Sequence, residues 1–262
     1  MKYGITTNIT LQVRKGPDQR GEMVNQLLFG EVYSILETIG AWCRIESGID
    51  QYSGWIETNC LHPISEKDYI KYLSDRQYVL KSLTKAFYAK HGKSGFWILP
   101  GSTLPEYNTE NRHFNIGDEE LFLEESNEEE PRPDIRQAIL DTAHSYLHSP
   151  HLWGGRSLFG IDCSGFTQIV YKINGKRIPR ETSQQVRQGN LVPFLEESKP
   201  GDLAFFDNDK GAICHAGILI NKNKIIHVSG KVRIDLIDHQ GINRSGMNEY
   251  THKLRVIKSI IE

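Results

Sequence analysis

Three residues in the second half of the chain have the types and spacing for acyl transfer through a covalent intermediate. Cys163 stands in Gly160-Ile161-Asp162-Cys163-Ser164-Gly165-Phe166, where a Gly-rich loop turns into a helix. Unpaired amides and the helix dipole favour negative charge there, so the position is expected to lower the thiol pKa. A histidine is needed to make the thiolate dominant. His215, in Ile213-Cys214-His215-Ala216-Gly217, and His227, in Ile226-His227-Val228, stand twelve positions apart around the turn-like Asn221-Lys222-Asn223-Lys224. They are expected on adjacent antiparallel strands. For both to share one face, the hairpin must hold an odd loop or a bulge; an even, unbulged hairpin would separate them. In this arrangement Cys163 attacks a carbonyl, and His215 forms the ion pair and later protonates the leaving amine. His227 orients His215 through its other ring nitrogen, and the Cys163 backbone N–H serves the oxyanion.

Helices and strands must hold these groups. Ile135, Ala138, Ile139, Thr142, Ala143 and Tyr146 recur at helical spacing behind the N-cap Asp134. Phe166, Ile169, Val170 and Ile173 do so behind Asp162, and Gly175 stops that helix. Strand-like runs follow at 202–206, 216–220, 224–228 and 254–257. Helices first and strands after predict an α+β domain with an antiparallel sheet. Upstream, short β-prone runs at 9–13, 31–36, 42–45 and 54–56, separated by Gly turns, predict a small barrel over residues 1–64. Residues 65–128 open with Ser65-Glu66-Lys67-Asp68 and repeat the style with runs at 78–80, 86–89 and 96–99, predicting a second barrel. Residues 126–134, charged and proline-rich, read as a linker into the domain 129–262.

The 262 residues, 38% hydrophobic and 24% charged, suit a folded chain of one large or two to three small domains. A net charge of −2 gives no electrostatic case for nucleic acid or anionic membrane. Cys43, Cys60, Cys163 and Cys214 contain no CxxC pair, which argues against a disulfide framework or a zinc site, and the other three are expected as packing residues. His144 and His148, at i and i+4, lack a third ligand in a supporting motif and are expected as exposed helix residues, so neither metal nor cofactor is expected. With no apolar leader at its start, the chain is expected in the cytoplasm as a monomer, or in the periplasm or outside the cell if a leader had been removed.

Asp162-Cys163-Ser164-Gly165-Phe166, with Trp153-Gly154-Gly155 upstream and His215-Ala216-Gly217-Ile218 and Ile226-His227 downstream, resembles the NlpC/P60 cysteine peptidases. Pro200-Gly201-Asp202-Leu203-Ala204-Phe205-Phe206 and Pro179-Arg180-Glu181-Thr182-Ser183-Gln184-Gln185 are similar to two further segments of that family. The runs around Leu11-Gln12-Val13, Gly30-Glu31, Trp42-Cys43-Arg44 and Gly54-Trp55-Ile56 resemble bacterial SH3 (SH3b) domains. The layout as a whole is similar to the γ-D-glutamyl-L-diamino acid endopeptidases (dipeptidyl-peptidase VI). The resemblance implies two SH3-like barrels followed by a papain-like domain. It implies release of L-Ala-γ-D-Glu from small muropeptides carrying a free N-terminal L-Ala, in cell-wall turnover or recycling. A buried ammonium needs carboxylate partners, and Asp162 adjoins the nucleophile. Glu22 and Tyr52 of the first barrel match positions that close the cleft in that subfamily. Ser164 and Ser183 are placed on the peptide backbone or the D-Glu carboxylate, and Trp153 lines the site. His151 stands where the family has Tyr, offering a titratable donor instead of a phenol. A catalytically inactive wall-peptide binding protein, or an amidase or acyltransferase on a papain-like core, are the alternatives.

Overall fold

The computed structural model describes residues 2–74, 77–90, 95–124, 134–243 and 249–261. Residues 126–133 of the expected linker lie outside these. The chain divides into two compact units: Met1–Glu129 with Gly154–Ser157, and Glu130–Trp153 with Leu158–Glu262.

In the first unit, the turn-bounded β runs become β1 (Tyr3–Ile5), β2 (Thr10–Arg14), β3 (Met23–Leu28), β4 (Val32–Ile39), β5 (Trp42–Ser47) and β6 (Ser53–Glu57). They form one antiparallel sheet in the order β1-β4-β5-β6-β2-β3 around Leu11, Val13, Leu27, Tyr33, Ile45 and Ile56. Ser65 does not lead into a strand. It caps α1 (Glu66–Tyr72), accepting a hydrogen bond from the Asp68 amide at 3.1 Å. Beyond it, β7 (Tyr78–Val79) pairs with β10 (Thr103–Leu104). β8 (Thr84–Tyr88), β9 (Phe96–Ile98), β11 (His113–Ile116) and β12 (Glu119–Leu123) form a four-stranded sheet in the order β11-β12-β8-β9.

Residues on both sides of the expected boundary at 64/65 share a core: Ile5, Phe29 and Val32 pack with Tyr72, Leu80, Leu104 and Phe114. Gly30, at φ +77°, lets the β3–β4 turn meet Thr103, whose carbonyl oxygen would lie 1.8 Å from any Cβ there. The segment Gly154–Ser157, containing β13 (Arg156–Ser157), also packs in this unit. There the buried Arg156 guanidinium donates to both Glu31 oxygens, at 2.8 and 2.9 Å, and to the Gln26 carbonyl at 2.7 Å.

The second unit matches the helix-then-strand pattern. Helix α2 (Ile135–Ser145) is capped by Asp134 and buries Ile139, Leu140 and Ala143. After β14 (Gly160–Ile161) comes α3 (Cys163–Ile173), nearly all of which is buried against α2 and the sheet. Next come α4 (Thr182–Gln185), β15 (Asn190–Val192), β16 (Leu203–Asp207), β17 (Ile213–Asn221), β18 (Lys224–Ser229), β19 (Lys231–Ile237), β20 (Gly241–Asn243) and β21 (Tyr250–Ser259). The strands order as β15-β21-β16-β17-β18-β19-β20, all antiparallel, and β20 also pairs with β21, closing the sheet on itself. Ala204, Phe206, Leu219, Ile225, Ile237, Ile242 and Ile257 fill the inside.

Candidate active site

Cys163 opens α3. Asp162 caps that helix, accepting from the Gly165 amide at 2.7 Å. Sγ stands 4.0 Å from the Cys214 carbonyl oxygen and accepts from the amides of Ala216 and Ser164. The thiol therefore rests against β17 on both sides of His215.

The hairpin requirement is met by a bulge. Asn221 pairs with Lys224 across a two-residue turn, which alone would put the histidines on opposite faces. The register shifts by one between Leu219 and Asn221, so Gly217 pairs with His227 and Ile218 with Ile226. His215 and His227 become diagonal neighbours on one face. Gly217 is required between them, because a Cβ there would lie 2.8 Å from the His227 Cβ.

A residue without a sequence motif completes the row. Asp235 on β19 pairs with Ile225, which makes it the diagonal neighbour of His227 on the next strand. Its carboxylate accepts from His227 Nε2–H at 3.0 Å and from Arg233 at 2.8 Å. A carboxylate only accepts, so His227 carries its proton on Nε2 and presents a bare Nδ1. That atom accepts from His215 Nε2–H at 2.9 Å. The chain Asp235–His227–His215 thus leaves Nδ1 of His215 without a proton. His215 is 6% exposed, and His227 and Asp235 still less.

Burial sets the charges against the helix terminus. It pushes the Cys163 thiol up to about 12; the Asp162 charge adds to this, and the Ala216 and Ser164 amides with Arg180 oppose it only in part. Burial also holds His215 well below the usual histidine range, reinforced by His252, His227 and His151. Both shifts favour the neutral thiol and the neutral imidazole over the ion pair.

His252 on β21 is a second residue with no sequence signal. Its ring stacks on His215 at 4.1 Å, and burial lowers its pKa to about 4. His151 is exposed beside the site, tied by its amide to the Gly230 carbonyl and bridged to Ile161, and its charge bears on His215. Trp153, 62% exposed, lies two residues on.

Asp162 is not a free carboxylate. Arg180 donates to both its oxygens, at 3.0 and 2.5 Å, and Ser164 and the cap amide bond to it as well. These contacts make Asp162 the N-cap of α3 and the ion-pair partner of Arg180. Ser164 is equally committed, accepting from Arg180 at 2.6 Å. Gln185 braces the same turn, donating to the Ser164 carbonyl at 3.0 Å. Ser183 lies exposed on α4. In the first unit, Glu22 pairs with Lys15 at 3.1 Å in the β2–β3 turn, and half-buried Tyr52 bonds through its amide to Asp50.

Cys43 is a core residue and Cys60 lies at the rim of the same core. Cys214 takes the face opposite His215, as alternation demands, but near the start of β17 the thiol is exposed rather than packed. Helix α2 ends before His148, whose ring contacts Lys231, so His144 and His148 do not form a helical pair.

Residues 148–254 match the model of the NlpC/P60 family, and residues 13–61 that of the bacterial dipeptidyl-peptidase Sh3 domain. A γ-D-glutamyl-L-lysine dipeptidyl-peptidase of Bacillus subtilis (strain 168) is 33% identical over 216 residues, 77% of this chain and 71% of the relative. One of the same description from Bacillus cereus is 41% identical over 91 residues, 34% of this chain and 27% of the relative. The fold is shared with an NlpC/P60 family protein from Bacillus cereus ATCC 10987 (TM-score 0.79, 19% identity, 99% of this chain and 100% of that one). It is shared too with an NlpC/P60 endopeptidase from Photobacterium damselae (TM-score 0.66, 18% identity, 97% and 70%). On the strength of the first relative, aligned across most of both sequences, the chain belongs to the NlpC/P60 family.

Proposed function

We propose that the protein hydrolyses the γ-D-Glu–diamino acid bond of short muropeptides with a free N-terminal L-Ala, releasing L-Ala-γ-D-Glu. The observation that carries this reading is the Asp235–His227–His215 chain, which leaves His215 Nδ1 unprotonated on the strand against which the thiol of Cys163, at its helix N-terminus, rests. Two relatives named γ-D-glutamyl-L-lysine dipeptidyl-peptidase support the substrate class. His215 Nδ1 takes the thiol proton as Sγ adds to the γ-carbonyl of D-Glu. The Cys163 amide, at the positive end of α3, receives the oxyanion. Collapse breaks the C–N bond, His215 gives its proton to the departing amine, and a thioester remains. Water, deprotonated by the same nitrogen, then attacks the thioester and frees the thiol and the dipeptide carboxylate.

We read residues 78–123 as a second SH3-like barrel, and the setting as recycling of already released wall peptides by a cytoplasmic monomer. Mass spectrometry of products from L-Ala-γ-D-Glu-diaminopimelate, with the lysine analogue beside it, tests the assignment. Release of L-Ala-γ-D-Glu by the wild type, lost in Cys163→Ala, is expected. Acetylation of the substrate N-terminus is expected to stop cleavage; undiminished cleavage of the acetylated peptide would remove the free-ammonium requirement.

A further inference from the structure

His252 has no part in the peptidase chemistry described above, yet it lies within the same group of rings. One ring nitrogen from each of His215, His227 and His252 lies within 4.8 Å of one from each of the others. The stack on His215 brings the third imidazole alongside, and the His252 ring stands at a steep angle to His227, 83°, with centroids 5.7 Å apart. The Nδ1 of His252 is held by Thr251 Oγ1 at 2.9 Å, which leaves Nε2 as its ligating atom. His227 already has the second-sphere support that a metal-binding histidine takes, a carboxylate on its far nitrogen.

We propose that His215, His227 and His252 form a site for a borderline divalent transition ion, Zn²⁺ foremost, whose binding switches the peptidase off. Imidazole donors select Zn²⁺ and its neighbours over hard cations. Zn–N bonds of about 2.0–2.1 Å in tetrahedral geometry place nitrogens roughly 3.3 Å apart. The 2.9 Å contact between His215 and His227 must therefore open by a few tenths of an ångström. The half-buried His252 ring must leave its stack and swing inward. The fourth position is left to water.

Inhibition follows from the proton balance. The ion takes the lone pair of His215 Nε2, so the proton on that atom moves to Nδ1, which a metal-bound imidazole keeps protonated at neutral pH. With Nδ1 protonated, that nitrogen can no longer accept the thiol proton. No group is oxidised or reduced, and a chelator reverses the change.

The test separates this site from an ordinary thiol–imidazole pair. The Cys163→Ala protein is titrated with Co²⁺, followed by visible d–d absorption, and with Zn²⁺ by calorimetry. One ion per chain is expected. Binding should weaken by about tenfold or more in Cys163→Ala/His252→Phe, where the phenyl ring keeps the stack but offers no donor. In parallel, Zn²⁺ should inhibit the otherwise wild-type peptidase, and His252→Phe should need about tenfold more Zn²⁺ relative to its own metal-free rate. Circular dichroism confirms the fold of each variant, and His252→Gln replaces Phe if the phenyl variant does not fold. Metal binding that vanishes with Cys163→Ala while ignoring His252→Phe overturns the proposal, as does the absence of one-to-one binding. The binding arm uses no substrate, so its outcome is independent of the peptide assignment.

Discussion

Replacing Asp235 by Asn isolates the charge at the end of the relay, because the amide oxygen can still accept from His227 Nε2–H at the 3.0 Å position. The carboxylate stabilises the imidazolium character that His215 and His227 acquire as the thiol proton moves. A buried hydrogen bond to a charged group is worth about 1.5–3 kcal/mol. At about 1.4 kcal/mol per decade, kcat should fall about 10- to 150-fold. KM should move little, because Asp235 sits behind the base, away from substrate. The pH profile supplies the readout that a merely structural defect would not. Loss of the negative charge disfavours protonated His215, and Arg233, deprived of its partner, acts in the same direction. The acid limb of kcat/KM, already below the ordinary histidine pKa of 6.5 because burial lowers His215, should therefore move to still lower pH. Steady-state kinetics of amine release between pH 4 and pH 8 measures both effects. A kcat within about threefold of wild type, with an unmoved limb, would refute the relay and leave Asp235 as a packing residue.

Cys163→Ala should keep its thermal unfolding midpoint within a few degrees and lose all turnover; residual turnover at the wild-type rate would remove Cys163 as nucleophile. Gly217→Ala places a methyl 2.8 Å from the His227 Cβ and should cost about 1–3 kcal/mol with a larger loss of kcat, read by denaturant melts and kinetics together. Glu31→Ala removes the carboxylate that pairs with the buried Arg156 guanidinium and should destabilise the first unit by about 3–5 kcal/mol, seen as an earlier urea transition for that unit's fluorescence. Both His215 and His252 have pKa values below 6.5, the latter about 4, so the unfolded chain binds more protons than the native one below pH 6.5. Stability should therefore fall as pH drops from 6.5 towards 4, and His252→Phe should flatten that slope in urea titrations.

What was legible in the sequence divides along physical lines. The Cys163 junction reads directly, because an Asp cap, an apolar 3.6-residue period and a Gly stop are local signals. The shared face of His215 and His227 reads as a requirement of parity. Nothing in Leu219-Ile220-Asn221 marks the bulge that satisfies it. Asp235 carries no motif, but the same parity argument, continued through the Ser229–Lys231 turn, places it on that face. His252 arrives from a strand that joins the site only because the sheet closes, which no local pattern encodes. The thiol shows the limit of local reasoning: the helix N-terminus is visible in sequence, whereas the burial that outweighs it is not. Asp162 was readable as a cap, but its pairing with Arg180, eighteen positions on, depends on how the segment folds back. The core joining residues 1–64 to 65–128 escaped for a related reason, since an apolar face facing a neighbour looks the same as one facing its own barrel.

The bulge at Ile220 has a consequence for how this hairpin tolerates change. Its tip is exposed and polar, the kind of place where chains ordinarily gain and lose residues freely. Here length is counted modulo two. One residue added or removed between Gly217 and His227 turns one imidazole away from the other while leaving every catalytic side chain present. Two residues restore the pairing. Hairpins of this kind should vary in steps of two, so that an odd change at a surface turn acts as an active-site mutation.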